Sequence, residues 1–249
     1  MKTRTLFISI LLISMLSVSC NVLTNAGVKV ITPSNVNISE NRDVSGFSVI
    51  DFSTIGKVNV MQGDTESLNI SGPDNLVPEI TTTVSNGTLM IKNKENITIS
   101  PLNNQNPLVF TIVVKNLTSL KLSGAGDVQI ETLSTPSMDI NMSGAGKVTQ
   151  NQITTDNLNA TISGVGGIDI TGQATQATID ISGAGSVTAP DLKIQTAKVT
   201  ISGVGGATLW VTDQLTGAIS GAGSVSYYGT PQTSINSSGF GSFKSLGSK

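Results

Sequence analysis

Through the second half of the chain, apolar residues recur at fixed offsets from a four-residue punctuation, Ser-Gly-apolar-Gly. It stands at Ser123-Gly-Ala-Gly126, Ser143-Gly-Ala-Gly146, Ser163-Gly-Val-Gly166, Ser182-Gly-Ala-Gly185, Ser202-Gly-Val-Gly205, Ser220-Gly-Ala-Gly223 and Ser238-Gly-Phe-Gly241. Successive serines are 20, 20, 19, 20, 18 and 18 residues apart. Three residues before the serine stand Leu120, Ile140, Ala160, Ile179, Val199, Gly217 and Ile235; one before it stand Leu122, Met142, Ile162, Ile181, Ile201, Ile219 and Ser237. Five after it stand Val128, Val148, Ile168, Val187, Ala207, Val225 and Phe243, while polar residues such as Lys121, Asn141 and Asp180 fall between. Alternation of period two predicts short half-buried strands on both flanks. The glycines predict bends where the chain needs positive φ or where a neighbouring backbone comes close.

A sevenfold motif at a nearly constant period is the signature of a repeat architecture. The periodicity excludes a helical solenoid, which needs a 3.6-residue period and strong helix formers. The pattern predicts an all-β fold, a right-handed parallel β-helix (β-solenoid) with about 18–20 residues per coil. Equivalent residues of successive coils then stack about 4.8 Å apart. One coil, with about four inward aliphatic side chains, buries too little to offset the entropy of ordering its own residues. Stability must therefore be cooperative along the stack.

The first half lacks the motif but is strand-like throughout. Phe47-Ser-Val-Ile-Asp-Phe52, Lys57-Val-Asn-Val60, Ser67-Leu-Asn-Ile70, Thr88-Leu-Met-Ile91 and Phe110-Thr-Ile-Val-Val114 are β-type runs. Turn signals at Gln62-Gly63-Asp64, Gly72-Pro73-Asp74-Asn75 and Asn86-Gly87 separate them, and Asn103-Asn-Gln-Asn106 between Pro101 and Pro107 reads as a loop. The expected organisation is a solenoid over residues 42–249. It comprises an irregular start (42–116), the regular repeats (117–226) and a C-terminal cap (227–249). A separate small β-domain for the first half is the alternative.

The N-terminus carries an address. Lys2 and Arg4 precede an apolar run over residues 6–18, short for a membrane span and suited to a secretory signal. Ser17-Val-Ser19 leads into Cys20, the one cysteine of the chain. The arrangement resembles a bacterial lipobox, in which the cysteine is acylated and becomes the mature N-terminus. It departs from the usual pattern at Ser17, where a large aliphatic residue is expected. Residues 1–19 are thus read as a signal peptide, Cys20 as the lipidation site and residues 20–41 as a polar tether. Ordinary cleavage after Ser19, leaving a free thiol, is the alternative. Acylation anchors a chain stably to a membrane.

Composition narrows the chemistry. The chain has 249 residues, no histidine, 26 glycines and 12% charged residues. Absence of histidine removes His-based triads and His-ligated zinc, and a single cysteine removes CxxC pairs. The net charge is −2, moving to −4 once Lys2 and Arg4 leave with the signal, which argues against a nucleic-acid partner.

The chain resembles the auto-transporter adhesin head-GIN domain family of exported bacterial proteins. The resemblance is carried by Arg42-Asp-Val-Ser-Gly-Phe47, Val58-Asn-Val60 with Gln62-Gly63, Gly72-Pro-Asp-Asn-Leu76, Asn86-Gly-Thr-Leu89, the Ser-Gly-Ala-Gly series and Tyr228-Gly-Thr-Pro231. It spans about residues 42–243. It implies a right-handed parallel β-helix in a secreted or lipid-anchored protein and brings no catalytic residues.

Site candidates are few. Gly164-Val-Gly166-Gly167-Ile-Asp169 begins like a dinucleotide fingerprint but lacks the last glycine and the following helix. Acidic residues form no column across the repeats and there is no arginine after Arg42, so the paired carboxylates of glycan hydrolysis are not expected. Scattered Asp139, Asp169 and Asp191 do not share a phase, so no metal site is expected. No catalytic residue and no cofactor are assigned. The uneven feature is aromatic: Trp210, Tyr227, Tyr228, Phe240 and Phe243 are five of the nine aromatic residues. Trp210, expected to point outward, with Tyr227 and Tyr228, is a candidate partner contact, able to stack on a sugar or enter a subunit interface. Packing at the C-terminal end is the alternative, and Phe243 is expected in the core. The reading is a non-enzymatic, lipid-anchored protein of the cell envelope. It presents an extended surface to a glycan or protein and is able to self-associate. The alternatives are a structural or assembly subunit and a polysaccharide-active enzyme.

Overall fold

The computed structural model describes residues 28–100 and 106–249. Cys20, the N-terminal stretch read as a signal peptide and most of the Pro101–Pro107 loop lie outside the described residues. The Ser-Gly-x-Gly corners sit one above another. Ala125 pairs with Ala145, Ala145 with Val165, Val165 with Ala184, Ala184 with Val204, Val204 with Ala222 and Ala222 with Phe240, all in parallel ladders. The fold is a β-solenoid of about six turns.

Each full coil is three-sided. In the strand Ala145–Ile162, Val148 and Gln150 point inward from the first side, Ile153 and Thr155 from the second, and Leu158, Ala160 and Ile162 from the third. The inward step is two residues along a side, three at the turns between the first and second and between the second and third sides, and six across the Ser-Gly-x-Gly corner (Ile162 to Ile168), so each bend resets the alternation without losing the core face. That gives seven inward positions, where flanking alternation alone suggested about four. The same positions recur two coils on at Val187, Ala189, Leu192, Ile194, Ala197, Val199 and Ile201, all buried. The polar exceptions on these sides bond locally, although the Gln150 Oε1 has no hydrogen-bond partner among the described residues. Thr135 and Thr155 donate to the carbonyls of Ser137 and Asn157, and the Gln150 amide nitrogen donates to the carbonyls of Glu131 and Gln152.

The corner glycines are set mainly by close approach. A Cβ built on Gly164 lies 2.0 Å from the Gly144 carbonyl oxygen, and the second and fourth motif positions of the other corners are similarly crowded. The backbone ladder runs unbroken through the bend. Val165 N donates to Gly144 O at 3.0 Å, and Ser163 N and Gly164 N share Met142 O.

There is an eighth corner. Ser53-Thr-Ile-Gly56 lies directly beneath Ser123-Gly-Ala-Gly126, with Ile55 paired to Ala125, Gly56 to Gly126 and the two serine hydroxyls 2.8 Å apart. Thr54 replaces a glycine there because no corner of the same kind lies below it; its hydroxyl meets the Asn93 side chain instead. After Gln62 the chain leaves the spiral and closes that end. Thr88–Asn93 and Val109–Val114 pair in parallel beneath this first coil. The antiparallel strands Ile80–Ser85 and Ser67–Pro73 are laid against them in turn. Asn86 and Gly87, with φ of 49° and 74°, form the tight turn between Ile80–Ser85 and Thr88–Asn93.

Two expected boundaries are corrected. Residues 20–41, read as a tether, contain two strands. Lys29–Ile31 pairs with Ile97–Ile99, and Asn37–Arg42 pairs antiparallel with Ser67–Pro73. Asn37–Arg42 escaped notice because it contributes no side chain to the core and so carries no apolar alternation. Residues 227–249, read as a cap, wind on as coil. Gln232–Ser237 and Phe240–Ser245 stack on Gln214–Ile219 and Ala222–Tyr227. Ile235 holds its inward column yet is 40% exposed, pairing with Gly217 on one side and with no described strand on the other. Phe243 is half-buried and plugs this end, its ring occupying the space that a side chain on Gly217 would fill.

Candidate binding groove

The turn between the second and third sides places one outward residue per coil in a straight column. Register pairs Ser134 with Thr154, Thr154 with Gln173, Gln173 with Lys193, Lys193 with Trp210 and Trp210 with Tyr228. Two positions on, Pro136, Asp156, Thr175 and Gln195 form the opposite bank. Between the banks the chain dips inward at Thr135, Thr155 and Ala174, and an open groove of about 530 Å3 follows the solenoid axis. Gln62 marks its start, its side-chain amide bonded to the backbone N–H and C=O of Ser134.

Apart from Pro136 and Ala174, the lining is hydroxyl, amide, one ammonium (Lys193) and one carboxylate (Asp156). Such donors and acceptors suit a polyhydroxylated ligand. Acid–base cleavage of a glycosidic bond needs two carboxylates, and the groove is lined by one; of the acids elsewhere on the stack, Asp169 pairs with Lys147 and Asp139 accepts from Asn159. The first of these contacts, a side-chain hydrogen bond reinforced by the Asp169 charge, raises the Lys147 ammonium above its ordinary value of 10.5. Among the described residues no group of three or more metal-ligating side chains occurs.

The aromatic candidates separate. Trp210 and Tyr228 stack outward as neighbours on successive coils and terminate the groove column. Tyr227 pairs with Leu209 in the inward column and packs against the end of the core. Lys193 Nζ lies 6.0 Å from the Trp210 ring centre, and Lys249 Nζ lies 5.2 Å from it and 5.5 Å from that of Tyr228. The groove itself was not foreseen: its residues are 19 or 20 apart in the polar phase of the repeat, where sequence alone shows no preference. The signal that existed was the unbroken polarity of that phase up to Trp210.

The profile of the family described as "Putative auto-transporter adhesin, head GIN domain" matches residues 46–231. The chain belongs to this family. A "putative adhesin" from Bacteroides fragilis has the same fold at 31% identity, with a TM-score of 0.82 over 87% of this chain and 100% of that one. A "putative adhesin" and a "putative lipid binding protein" from Parabacteroides distasonis share the fold at 20% and 23% identity. Their TM-scores are 0.68 and 0.69, each over 88% of this chain and 100% of theirs. No curated protein matches the chain. Membership in this head-GIN family supports an adhesin-like role outside catalysis and a place at the envelope or beyond it. Among the described residues no helix is long and apolar enough to cross a membrane.

Proposed function

We propose that this head-GIN protein is a lipid-anchored envelope adhesin that binds glycan along the groove. The observation that carries the reading is the column from Ser134 to Tyr228, polar along its length and aromatic at one end. The coil spacing of about 4.8 Å is close to the length of a pyranose ring along a linear glycan, so successive coils meet successive sugars. Polar side chains orient hydroxyls, and an indole face takes the apolar face of a sugar ring. On a glycan array, wild-type protein binds a subset of linear oligosaccharides, and Trp210→Ala weakens that binding about tenfold, the loss of roughly one stacked aromatic contact. An array without signal, or one unchanged in Trp210→Ala, refutes the reading. Anchoring rests on Cys20: palmitate label enters wild type and not Cys20→Ala, and equal labelling of both removes the anchor.

A second reading, an assembly subunit, is favoured by the C-terminal coil. Gln232–Ser237 and Phe240–Ser245 each pair on one side, with Phe240 93% exposed. Unpaired strand edges are templates for association. A mass that rises with concentration, and falls to that of one chain in Phe240→Lys, supports this reading; a constant single-chain mass removes it.

A further inference from the structure

The aromatic end of the column, beyond its last groove-lining residue Lys193, already holds a cation. Lys249 lies over both the Trp210 and Tyr228 rings, is ion-paired with Asp191 and donates to the Pro190 carbonyl. Three and two residues earlier the tail is fixed to the last coil, Leu246 N donating to Tyr227 O and Gly229 N to Gly247 O, both at 2.8 Å. The Lys249 side chain is 30% exposed, although it belongs to the last residue of an exposed segment. Two π faces, a carboxylate and a carbonyl converging on one point are the elements that recognise an ammonium. Lys193, beside Trp210 and exposed on the groove wall, makes no ion pair among the described residues and leaves Asp191 to Lys249.

We propose that Trp210, Tyr228, Asp191 and the Pro190 carbonyl form an ammonium subsite. Lys249 fills it in cis, and an amino sugar with a free amine displaces Lys249 when it binds the groove. The sugar part rests on the glycan reading above; the ammonium part rests on Lys249 itself. Lys249 is tethered two residues from its nearest backbone bond, so its local concentration is in the millimolar range or higher. An exposed cation–π contact is weak enough for a ligand to compete with it.

The test uses a glucosamine tetrasaccharide and its fully N-acetylated counterpart, titrated below the amine pKa. Binding is read from the emission of Trp210, the one tryptophan of the chain, and by calorimetry. Lys249→Ala is expected to bind the free-amine tetrasaccharide about two- to tenfold more tightly than wild type. Its affinity for the acetylated one is expected to be unchanged, and Asp191→Asn in the same background removes the preference for the amine. Equal affinities for both sugars with no effect of Lys249→Ala overturn the ammonium subsite and leave the groove standing. A saturable response of Lys249→Ala to n-butylammonium, with none to either tetrasaccharide, refutes the glycan groove and the amino-sugar ligand together.

Discussion

The stacked corners make a sharp claim about two glycines three residues apart. On Gly164 a methyl group would lie 2.0 Å from Gly144 O, 2.5 Å from Ser143 O and 2.6 Å from Ser143 C, all backbone atoms with no rotamer to yield. Relief requires the two coils to separate locally by roughly 1 Å, because dispersion wells turn steeply repulsive below contact distance. Separation strains the bonds Val165 N to Gly144 O (3.0 Å) and Gly164 N to Met142 O (3.1 Å). Overpacking costs about 1–3 kcal/mol and two weakened ladder bonds about 1 kcal/mol each, so Gly164→Ala should destabilise the fold by about 3–5 kcal/mol. On Gly167, in the same corner, the nearest atoms to an added methyl are 3.7 and 3.8 Å away, ordinary contact. Gly167→Ala should be neutral, or stabilising by about 0.5 kcal/mol through the reduced freedom of the unfolded chain. Urea denaturation followed by far-UV circular dichroism gives both midpoints. The reasoning fails if Gly164→Ala unfolds within 0.5 kcal/mol of wild type, or if Gly167→Ala loses as much as Gly164→Ala.

Two further expectations concern the end and the surface. Phe243→Ala removes the ring that fills the space beside Gly217; it should cost about 2 kcal/mol, less than a fully buried phenylalanine, and shift the emission of the nearby end of the solenoid where Trp210 reports. An unchanged midpoint would show that the last coil needs no plug. The Lys147–Asp169 pair raises the lysine pKa above 10.5 in the folded chain, so its contribution is intact below 10.5 and fades as the pH climbs through the raised value. Lys147 is half exposed, so the contribution is small and weakened by salt. The gap in denaturation midpoint between wild type and Lys147→Met should be present at neutral pH and close in strong alkali; a gap that widens there contradicts the assignment.

The strands expected in the first half are found close to their observed places, Phe110–Val114 within the strand Val109–Val114 and Thr88–Ile91 within Thr88–Asn93. Their apolar alternation feeds the same core as the repeats, so the pattern was visible. Ile80–Ser85 and Asn37–Arg42 were not, since edge strands lend few side chains to the core and answer mainly to backbone pairing. The corner Ser53-Thr-Ile-Gly56 was hidden for another reason. Its flanks, Phe52 before and Val58 and Val60 after, match those of the later corners, but a side chain fits at Thr54 and the next corner begins only at Ser123.

By itself the sequence determined the coil: its period, its corners and the columns of its core. In-register parallel stacking sets each residue on its equivalent one turn back, so the rule for one winding is written again in the next. Tertiary structure decided whatever that translation does not generate. It chose the antiparallel strands that close one end, the ring that plugs the other and the groove wall made of residues the pattern marks merely as polar. It also brought Lys249 to Asp191, 58 residues earlier, and to the two rings. Such contacts join positions with no shared phase, and long-range pairing, packing and charge choose among them only once the stack has formed.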